Sequence, residues 1–196
     1  MVVPSLTPAP ADKVALRRLA RERRSSFVKS LGPEQRAAAE RQLARLISPL
    51  LARSRIVGGY CPLPMEISPL QALEEAAAAG KIVAYPAFAD RDADFRFLAG
   101  DPTETGPFAC LQPGLDAPEV HPDLVLVPLV AIDSEGTRLG QGKGHYDRVL
   151  ERLRSDGALL IGLGWAVQKV EGKIPADPWD IPLHGFASEE RLEMFR

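Results

Sequence analysis

The feature that most constrains the fold is an apolar run, a helix-like segment and a second apolar run in direct succession. Leu124–Ile132 consists of aliphatic residues and one proline, and such a run predicts a strand buried on both faces. Residues 145–154 have helical spacing, and Ala158–Leu163 is apolar again. A strand, a crossover helix and a second strand in this order form a βαβ unit with parallel strands.

A similar unit precedes this one. Arg55–Tyr60 and Lys81–Tyr85 have strand-like composition, and helix start and stop signals stand at Ser68 and Gly80 between them. Phe95–Leu98 alternates in polarity, which predicts a peripheral strand. Two such units imply an α/β fold: a mainly parallel central sheet with helices on both faces, in a Rossmann-like three-layer arrangement. Ligands bind such sheets at the carboxyl ends of their strands.

The N-terminal part is expected to be helical after a short leader. Residues 1–11 place prolines among small residues, so we predict a disordered leader. Asp12 suits the N-cap of a first helix, and Pro33 suits the first turn of a second. We expect residues 12–196 to form a single α/β domain, in which the loop-rich stretch Pro86–Pro122 is a candidate lid.

Composition argues against several classes of function. Basic and acidic residues number 24 and 26, giving a net charge of -2, so no overall field favours nucleic acid or an anionic membrane. Two cysteines are too few for a disulfide framework or a zinc site, and the three histidines lack the spacing of metal ligands. No apolar run approaches the roughly 20 residues that span a bilayer, and the first residues contain no signal-peptide core. We therefore expect a cytoplasmic protein without membrane or nucleic-acid partners.

A glycine-rich loop precedes the helix that starts near His145. Glycines occupy alternate positions between the basic residue Arg138 and this helix, and Lys143 adds a second positive charge. Such a loop can turn several N–H groups toward one anion, and the helix N-terminus adds a positive dipole. The spacing matches neither the dinucleotide-binding fingerprint nor the Walker loop, so the pattern alone also allows a flexible connection. The glycines are Gly140, Gly142 and Gly144.

Four basic residues recur at helical spacing in the first predicted helix. Intervals of four, four and three put them on one stripe. From the residues alone, a solvated face is the more common outcome for such a stripe. The four residues are Lys13, Arg17, Arg21 and Arg24.

Together these motifs resemble one known family. The glycine-rich string and the apolar strand before it are similar to the signature of the 5-formyltetrahydrofolate cyclo-ligases, also called methenyltetrahydrofolate synthetases. The resemblance covers nearly the whole chain and implies a fold like that of ribose-5-phosphate isomerases and CoA transferases. It is carried by Lys13, Arg17 and Arg18, Tyr60 and Glu66, Gly80–Pro86, Arg138–Arg148, and Gln168, Pro175 and Asp180.

Three positions depart from the family pattern. His145 stands where the family usually has the first of two tyrosines, which puts one pocket contact in question. Ala117 replaces a frequent glutamate before proline, and Trp179 replaces histidine or another polar residue before the final aspartate. The last two positions are expected to be peripheral.

The resemblance implies ATP-dependent cyclisation of 5-formyltetrahydrofolate to 5,10-methenyltetrahydrofolate, with release of ADP and phosphate through a phosphorylated formyl intermediate. The implied partners are ATP and the folate, and a monomer is expected. Arg138, Lys143 and Tyr146 are assigned to catalysis, and Arg21 and Arg24 are expected to stay solvated. The residues assigned to ATP are Lys13, Arg17, Arg138, Leu139, Gly140, Gln141, Gly142, Lys143, Gly144, His145 and Tyr146.

The resemblance also implies a folate site and a Mg²⁺ site. Magnesium usually takes one or two carboxylates together with phosphate oxygens, and Asp147 and Asp180 are assigned to it. A pterin ring requires an apolar or aromatic slot with a few polar groups. The residues assigned to the folate are Cys61, Glu66, Phe88, His145 and Tyr146.

Two alternatives remain open from the sequence. A non-catalytic nucleotide-binding regulatory module can share such a fold. An ATP-dependent enzyme acting on a different formylated or pterin-like substrate would carry the same phosphate loop.

Overall fold

The computed structural model describes residues 12–142 and 144–195. The predicted leader, residues 1–11, and the predicted site residue Lys143 lie outside these ranges. Asp12 caps the first helix as expected, since its Oδ1 accepts a hydrogen bond from Val14 N at 2.9 Å. The helices are α1 (Lys13–Ser30), α2 (Pro33–Arg53), α3 (Leu70–Ala78) and α4 (His145–Ser155), and a 3₁₀ turn covers Ala166–Gln168.

A seven-stranded sheet forms the centre of the fold. Its strands are β1 (Ile56–Gly58), β2 (Ile82–Ala87), β3 (Arg96–Ala99), β6 (Leu124–Pro128), β9 (Leu159–Leu163), β10 (Gly185–Ala187) and β11 (Leu192–Met194). Their order in the sheet is β11-β10-β9-β6-β1-β2-β3; the five inner strands run parallel, and the two edge strands are antiparallel to their neighbours. The predicted mainly parallel α/β sheet is therefore confirmed.

The predicted strand Leu124–Ile132 is wrong in its second half. β6 ends at Pro128, which has no N–H to continue the hydrogen-bond ladder. The chain then forms a separate two-stranded antiparallel sheet from β7 (Ala131–Ile132) and β8 (Arg138–Leu139). This small sheet brings the start of the glycine-rich loop up against α1.

Helices cover both faces of the central sheet. Alternate residues of β6 point to opposite faces: Leu124 and Leu126 join the core under α2 and α3, whereas Val125 and Val127 join the core under α4. A third cluster packs Leu16 and Ala20 of α1 against the β7–β8 sheet. The three-layer prediction is thus confirmed.

The stretch Pro86–Pro122 is less irregular than predicted. It contains β3 and a second small antiparallel sheet of β4 (Glu104–Thr105) and β5 (Leu111–Gln112). That it closes as a lid stays a prediction.

A buried carboxylate stabilises the turn between β7 and β8. Asp133 is 1% exposed. Its Oδ1 accepts hydrogen bonds from Glu135 N and Thr137 N, both at 2.9 Å, and its Oδ2 accepts one from Ile174 N at 2.9 Å. The same side chain therefore joins the stem of the glycine-rich loop to the C-terminal segment that begins at Ile174.

Asp133→Ala is expected to lower the free energy of unfolding by about 3 kcal/mol, because it removes the acceptor from three backbone N–H groups. Urea denaturation measures this loss. Asp90→Ala is a matched control, since the exposed Asp90 Oδ1 also accepts from two backbone N–H groups, those of Asp92 and Ala93, both at 2.8 Å. Equal losses in the two variants would contradict the structural role of Asp133.

Candidate functional site

A cavity of about 680 Å³ opens where three neighbouring parallel strands end. Tyr60 follows β1, Phe88 follows β2 and Leu129 follows β6, and all three line it. Its size is ordinary for a small-molecule site. The cavity thus lies at the carboxyl edge of the sheet, where the alternation of elements led us to expect a ligand.

All of the predicted site residues that the structure describes line this one cavity. Shared lining does not test what each residue binds, so the individual roles stay predictions. The residues brought together are Lys13, Arg17, Cys61, Glu66, Phe88, Arg138, Leu139, Gly140, Gln141, Gly142, Gly144, His145, Tyr146, Asp147 and Asp180.

The glycine-rich loop forms one wall of the cavity. Gly142 has a φ of +96° and Gly144 a φ of +69°, which are left-handed conformations that favour glycine. Gly144 is the N-cap residue of α4, so the loop leads directly into a helix N-terminus as predicted. Two of the three glycines therefore stand at positions where a side chain would strain the backbone.

The basic stripe of α1 faces this loop. Arg17 Nε donates to Gly140 O at 3.1 Å, and Lys13 Nζ lies 2.5 Å from Asp177 Oδ2 and 2.6 Å from Asp180 Oδ2. Packing of Leu16 on the β7–β8 sheet turns this side of the helix toward the cavity. The stripe and the loop thus form one wall of the cavity that is rich in basic side chains, of which Lys13 is paired with two carboxylates.

The prediction that Arg24 is solvated is wrong. Arg24 is 7% exposed, and its Nη1 lies 3.8 Å from Glu66 Oε1. Arg21 is exposed as predicted, but its Nη2 donates to Gln141 O at 3.1 Å and to Gln141 Oε1 at 2.8 Å. The whole stripe therefore contacts the cavity wall, because α1 crosses the loop along its length.

Arg138 pairs with Asp147 beside the aromatic ring of Tyr146. The buried Arg138 donates from Nη2 to Asp147 Oδ1, and its guanidinium carbon lies 5.7 Å from the centre of the Tyr146 ring. Arg138 Nε is buried and has no hydrogen-bond partner among the described residues. Burial, with Glu66 nearby, raises the pKa of Tyr146, so at neutral pH this phenol can donate a hydrogen bond but cannot act as a base.

Three rings form an aromatic wall on another side of the cavity. The Phe88 and Phe108 ring centres are 4.9 Å apart, and the His145 ring lies 5.2 Å from each of them. We call these three residues the aromatic slot. His145, the departure from the family's tyrosine, therefore keeps a ring at this position.

Glu66 joins the segment that follows β1 to the glycine-rich loop. Its Oε2 accepts a hydrogen bond from Leu63 N at 3.0 Å, and its Oε1 accepts one from Gln141 Nε2 at 3.4 Å. Glu66 is buried, and the nearby Arg24 supplies the positive charge that a buried carboxylate requires.

Sequence reasoning missed several lining residues. Phe108, Cys110 and Gln112 come from the β4–β5 region, where no motif marked them. Trp179 was expected to be peripheral, yet it lines the cavity beside Asp180. The one sequence signal at this position was that a tryptophan stands where the family often has histidine or another polar residue.

Cys61 is expected to react slowly with alkylating reagents. Burial raises the pKa of its thiol to about 11, so the reactive thiolate is scarce at pH 8 and the rate should be about 100-fold below that of an ordinary thiol. Iodoacetamide labelling followed by peptide mass spectrometry measures the rate, which should climb toward pH 11. Labelling in urea is the control, because unfolding exposes the thiol and should restore the rate of an ordinary cysteine. An ordinary rate in the folded protein would contradict the burial of this thiol.

The cavity offers oxygen ligands for a hard cation but no dense cluster. Within residues 12–142 and 144–195, no group of three or more His, Cys, Asp or Glu side chains has metal-binding geometry. Asp147 and Asp180 both face the cavity, and their other partners are the cations Arg138 and Lys13. One or two carboxylates suffice for Mg²⁺ held together with phosphates, so this donor set fits that ion.

The part of the chain that the structure describes contains no helix long and apolar enough to cross a membrane.

The chain is similar to known proteins over most of its length. A model of the 5-formyltetrahydrofolate cyclo-ligase family matches residues 9–187. The 5-formyltetrahydrofolate cyclo-ligase of Haemophilus influenzae is 37% identical over 92 residues, which are 45% of this chain and 49% of that protein. The Escherichia coli K12 cyclo-ligase is 38% identical over 85 residues, 41% of this chain and 46% of that protein. These alignments span about half the length of the curated relatives.

Solved structures share the whole fold. The 5,10-methenyltetrahydrofolate synthetase of Aquifex aeolicus has a TM-score of 0.78 at 27% identity, covering 94% of this chain and 93% of that one. The synthetase of Mycoplasma pneumoniae has a TM-score of 0.68 at 23% identity, covering 91% and 99%. The second likeness bears on the fold alone.

Proposed function

Because the chain belongs to the 5-formyltetrahydrofolate cyclo-ligase family, we propose that it converts 5-formyltetrahydrofolate and ATP to 5,10-methenyltetrahydrofolate, ADP and phosphate. One observation carries this proposal: a single cavity combines a glycine-rich wall that bears basic side chains with an aromatic slot. A polyphosphate and a planar heterocycle would therefore be held side by side, as transfer between them requires.

The triphosphate binds along the wall formed by the basic stripe of α1 and the glycine-rich loop. Lys13 and Arg17 of α1 meet the loop there, and the buried Nε of Arg138 has no partner among the described residues. A buried donor without a partner is uncommon in proteins, and a phosphate oxygen would satisfy it. Lys143, outside the described ranges, is proposed to add a further charge from the same loop.

The folate binds along the aromatic slot. The rings of Phe88, Phe108 and His145 offer apolar surface for the pterin. Glu66 and Cys61 line the same cavity and would supply polar contacts. The Gln141–Glu66 hydrogen bond joins the glycine-rich loop to a residue that we assign to the folate, so it would hold the two binding regions next to each other.

The reaction then proceeds in two steps. The N5-formyl oxygen attacks the γ-phosphorus, the bond to ADP breaks, and the formyl oxygen becomes part of a good leaving group. N10 attacks the formyl carbon and loses its proton, the carbon–oxygen bond breaks, and phosphate departs as the five-membered ring closes. No protein nucleophile is needed, because the task is to position and to neutralise charge.

The side chains around Arg138 act on charge and orientation. Arg138 would neutralise charge on the transferred phosphoryl group, and Tyr146 in its protonated form would donate a hydrogen bond. We propose that Asp147 and Asp180 hold Mg²⁺, which when bound supplies positive charge to the β- and γ-phosphates. We also propose a cytoplasmic monomer.

An absorbance assay for methenyltetrahydrofolate tests the proposal. We expect product only when 5-formyltetrahydrofolate, ATP and Mg²⁺ are all present, with one ADP formed per product. A folded protein that binds ATP without turning over the folate would be a regulatory module. Turnover of another formylated compound instead would identify a divergent enzyme. Either result would overturn the proposed substrate.

A further inference from the structure

Trp179 is a large aromatic side chain left mainly in water. It is 67% exposed, whereas the other tryptophan, Trp165, is 0% exposed and donates its Nε1–H to Met65 O at 3.1 Å. A single exposed apolar residue is common on protein surfaces. Trp179 differs from such residues because it lines the cavity.

The backbone that carries this indole is held in a defined turn. Asp180 N donates to Asp177 O at 3.0 Å, and Asp180 Oδ2 accepts from Asp177 N at 2.8 Å and from Lys13 Nζ at 2.6 Å. The turn is thereby tied to α1. A ring with two rotatable bonds on a fixed backbone loses little conformational entropy when a ligand covers it.

The turn also locates Trp179 on the polyphosphate side. Its neighbour Asp180 contacts Lys13, which we assign to the phosphates. Across the described residues no other ring packs against that of Trp179, while the rings of the aromatic slot contact one another. Trp179 is thus an aromatic surface separate from the aromatic slot, and the pterin needs only the slot.

We propose that Trp179 is the surface on which the base of the nucleotide stacks while the phosphates lie against Lys13, Arg17 and the glycine-rich loop. This inference rests on the proposed ATP-dependent function. Stacking on an aromatic side chain accepts any base, because every base has a π-face. The larger faces of purines gain more contact than those of pyrimidines, so Trp179 favours purine nucleotides.

Calorimetry without folate tests the stacking. Trp179→Ala should raise the Kd of MgATP about tenfold or more, whereas Trp179→Phe, which keeps a ring, should change it by a few-fold at most. Mg-tripolyphosphate has the charge but no base, so its Kd should be the same in the wild type and in both variants. The preference for ATP over UTP should shrink in Trp179→Ala.

Tryptophan emission gives a second readout. ATP should quench the emission of the wild type and tripolyphosphate should not, and the quenching should vanish in Trp179→Phe although ATP still binds. If ATP binds with unchanged emission and Trp179→Ala keeps its affinity, this inference is overturned and the proposed function stands. If Trp179→Ala weakens the binding of tripolyphosphate as much as that of ATP, Trp179 only maintains the structure of the turn and this inference is overturned. If the wild type binds no ATP, both proposals fail.

Discussion

Replacing Arg138 by alanine is expected to lower kcat/KM for ATP about 10- to 150-fold, the scale of a charge-assisted hydrogen bond. The structure adds two reasons for a loss at the upper end of this range. Arg138 pairs with Asp147, so its removal leaves that carboxylate without its cation. The guanidinium also packs on the Tyr146 ring. Steady-state kinetics with varied ATP measure the effect.

The control for this variant is Arg96→Ala. Arg96 Nη1 also pairs with a carboxylate, Glu119 Oε2 at 3.3 Å, but both side chains are exposed and neither lines the cavity. Loss of such a surface pair should cost less than about 1 kcal/mol of stability and leave the kinetics unchanged. Arg138→Lys should fall between alanine and the wild type, since it keeps the charge but not the planar fork. Wild-type kinetics in Arg138→Ala would show that Arg138 has only a structural role.

Gly142→Ala is expected to abolish turnover by weakening nucleotide binding. The Cβ would lie 3.5 Å from Arg17 Nε, an ordinary contact, so the protein itself has room for it. The φ of +96° is strained for alanine, and the methyl group would occupy cavity space that we assign to phosphates. Thermal unfolding should therefore show a modest loss of stability, while the stabilisation that ATP confers on the wild type disappears.

Gly157→Ala isolates the backbone effect. Gly157 has a φ of +89°, no atom lies within 4 Å of its added Cβ, and it lies just after α4, outside the cavity. Both variants should lose a similar stability of about 1–2 kcal/mol, but only Gly142→Ala should lose ATP-induced stabilisation. Wild-type activity in Gly142→Ala would show that the loop only connects β8 to α4 and does not bind phosphates.

Elements with local signals could be predicted from the sequence. The Asp12 cap and the proline at position 33 set the starts of α1 and α2, because caps and first-turn prolines act within a few residues. β10 and β11 were missed, since they have three residues each and no alternation over that length. Pro128 itself gave a local reason for β6 to end there, but the pairing of the residues beyond it with β8 and their packing against α1 involve distant parts of the chain.

In the candidate site, too, the residues within a local motif could be predicted and those brought in by the fold could not. The glycine-rich loop is one continuous segment, so its motif could be recognised. Phe108 reaches the cavity from a distant part of the chain where no motif marks it, and Trp179 was expected to be peripheral although the adjacent Asp180 was assigned to the site. Arg24 was misjudged because its burial depends on Glu66, 42 residues away in the sequence but 3.8 Å away in space.

Charge balance in the cavity has a consequence for the kinetics of association. Each carboxylate that lines it among the described residues has a basic partner: Lys13 for Asp177 and Asp180, Arg138 for Asp147, and Arg24 for Glu66. Such a cavity projects little net field into the solvent, so electrostatic steering of a polyanion is weak. The association rate of MgATP should then depend only slightly on ionic strength. The basic side chains should leave their carboxylates and pair with the phosphates only after the nucleotide has entered the cavity.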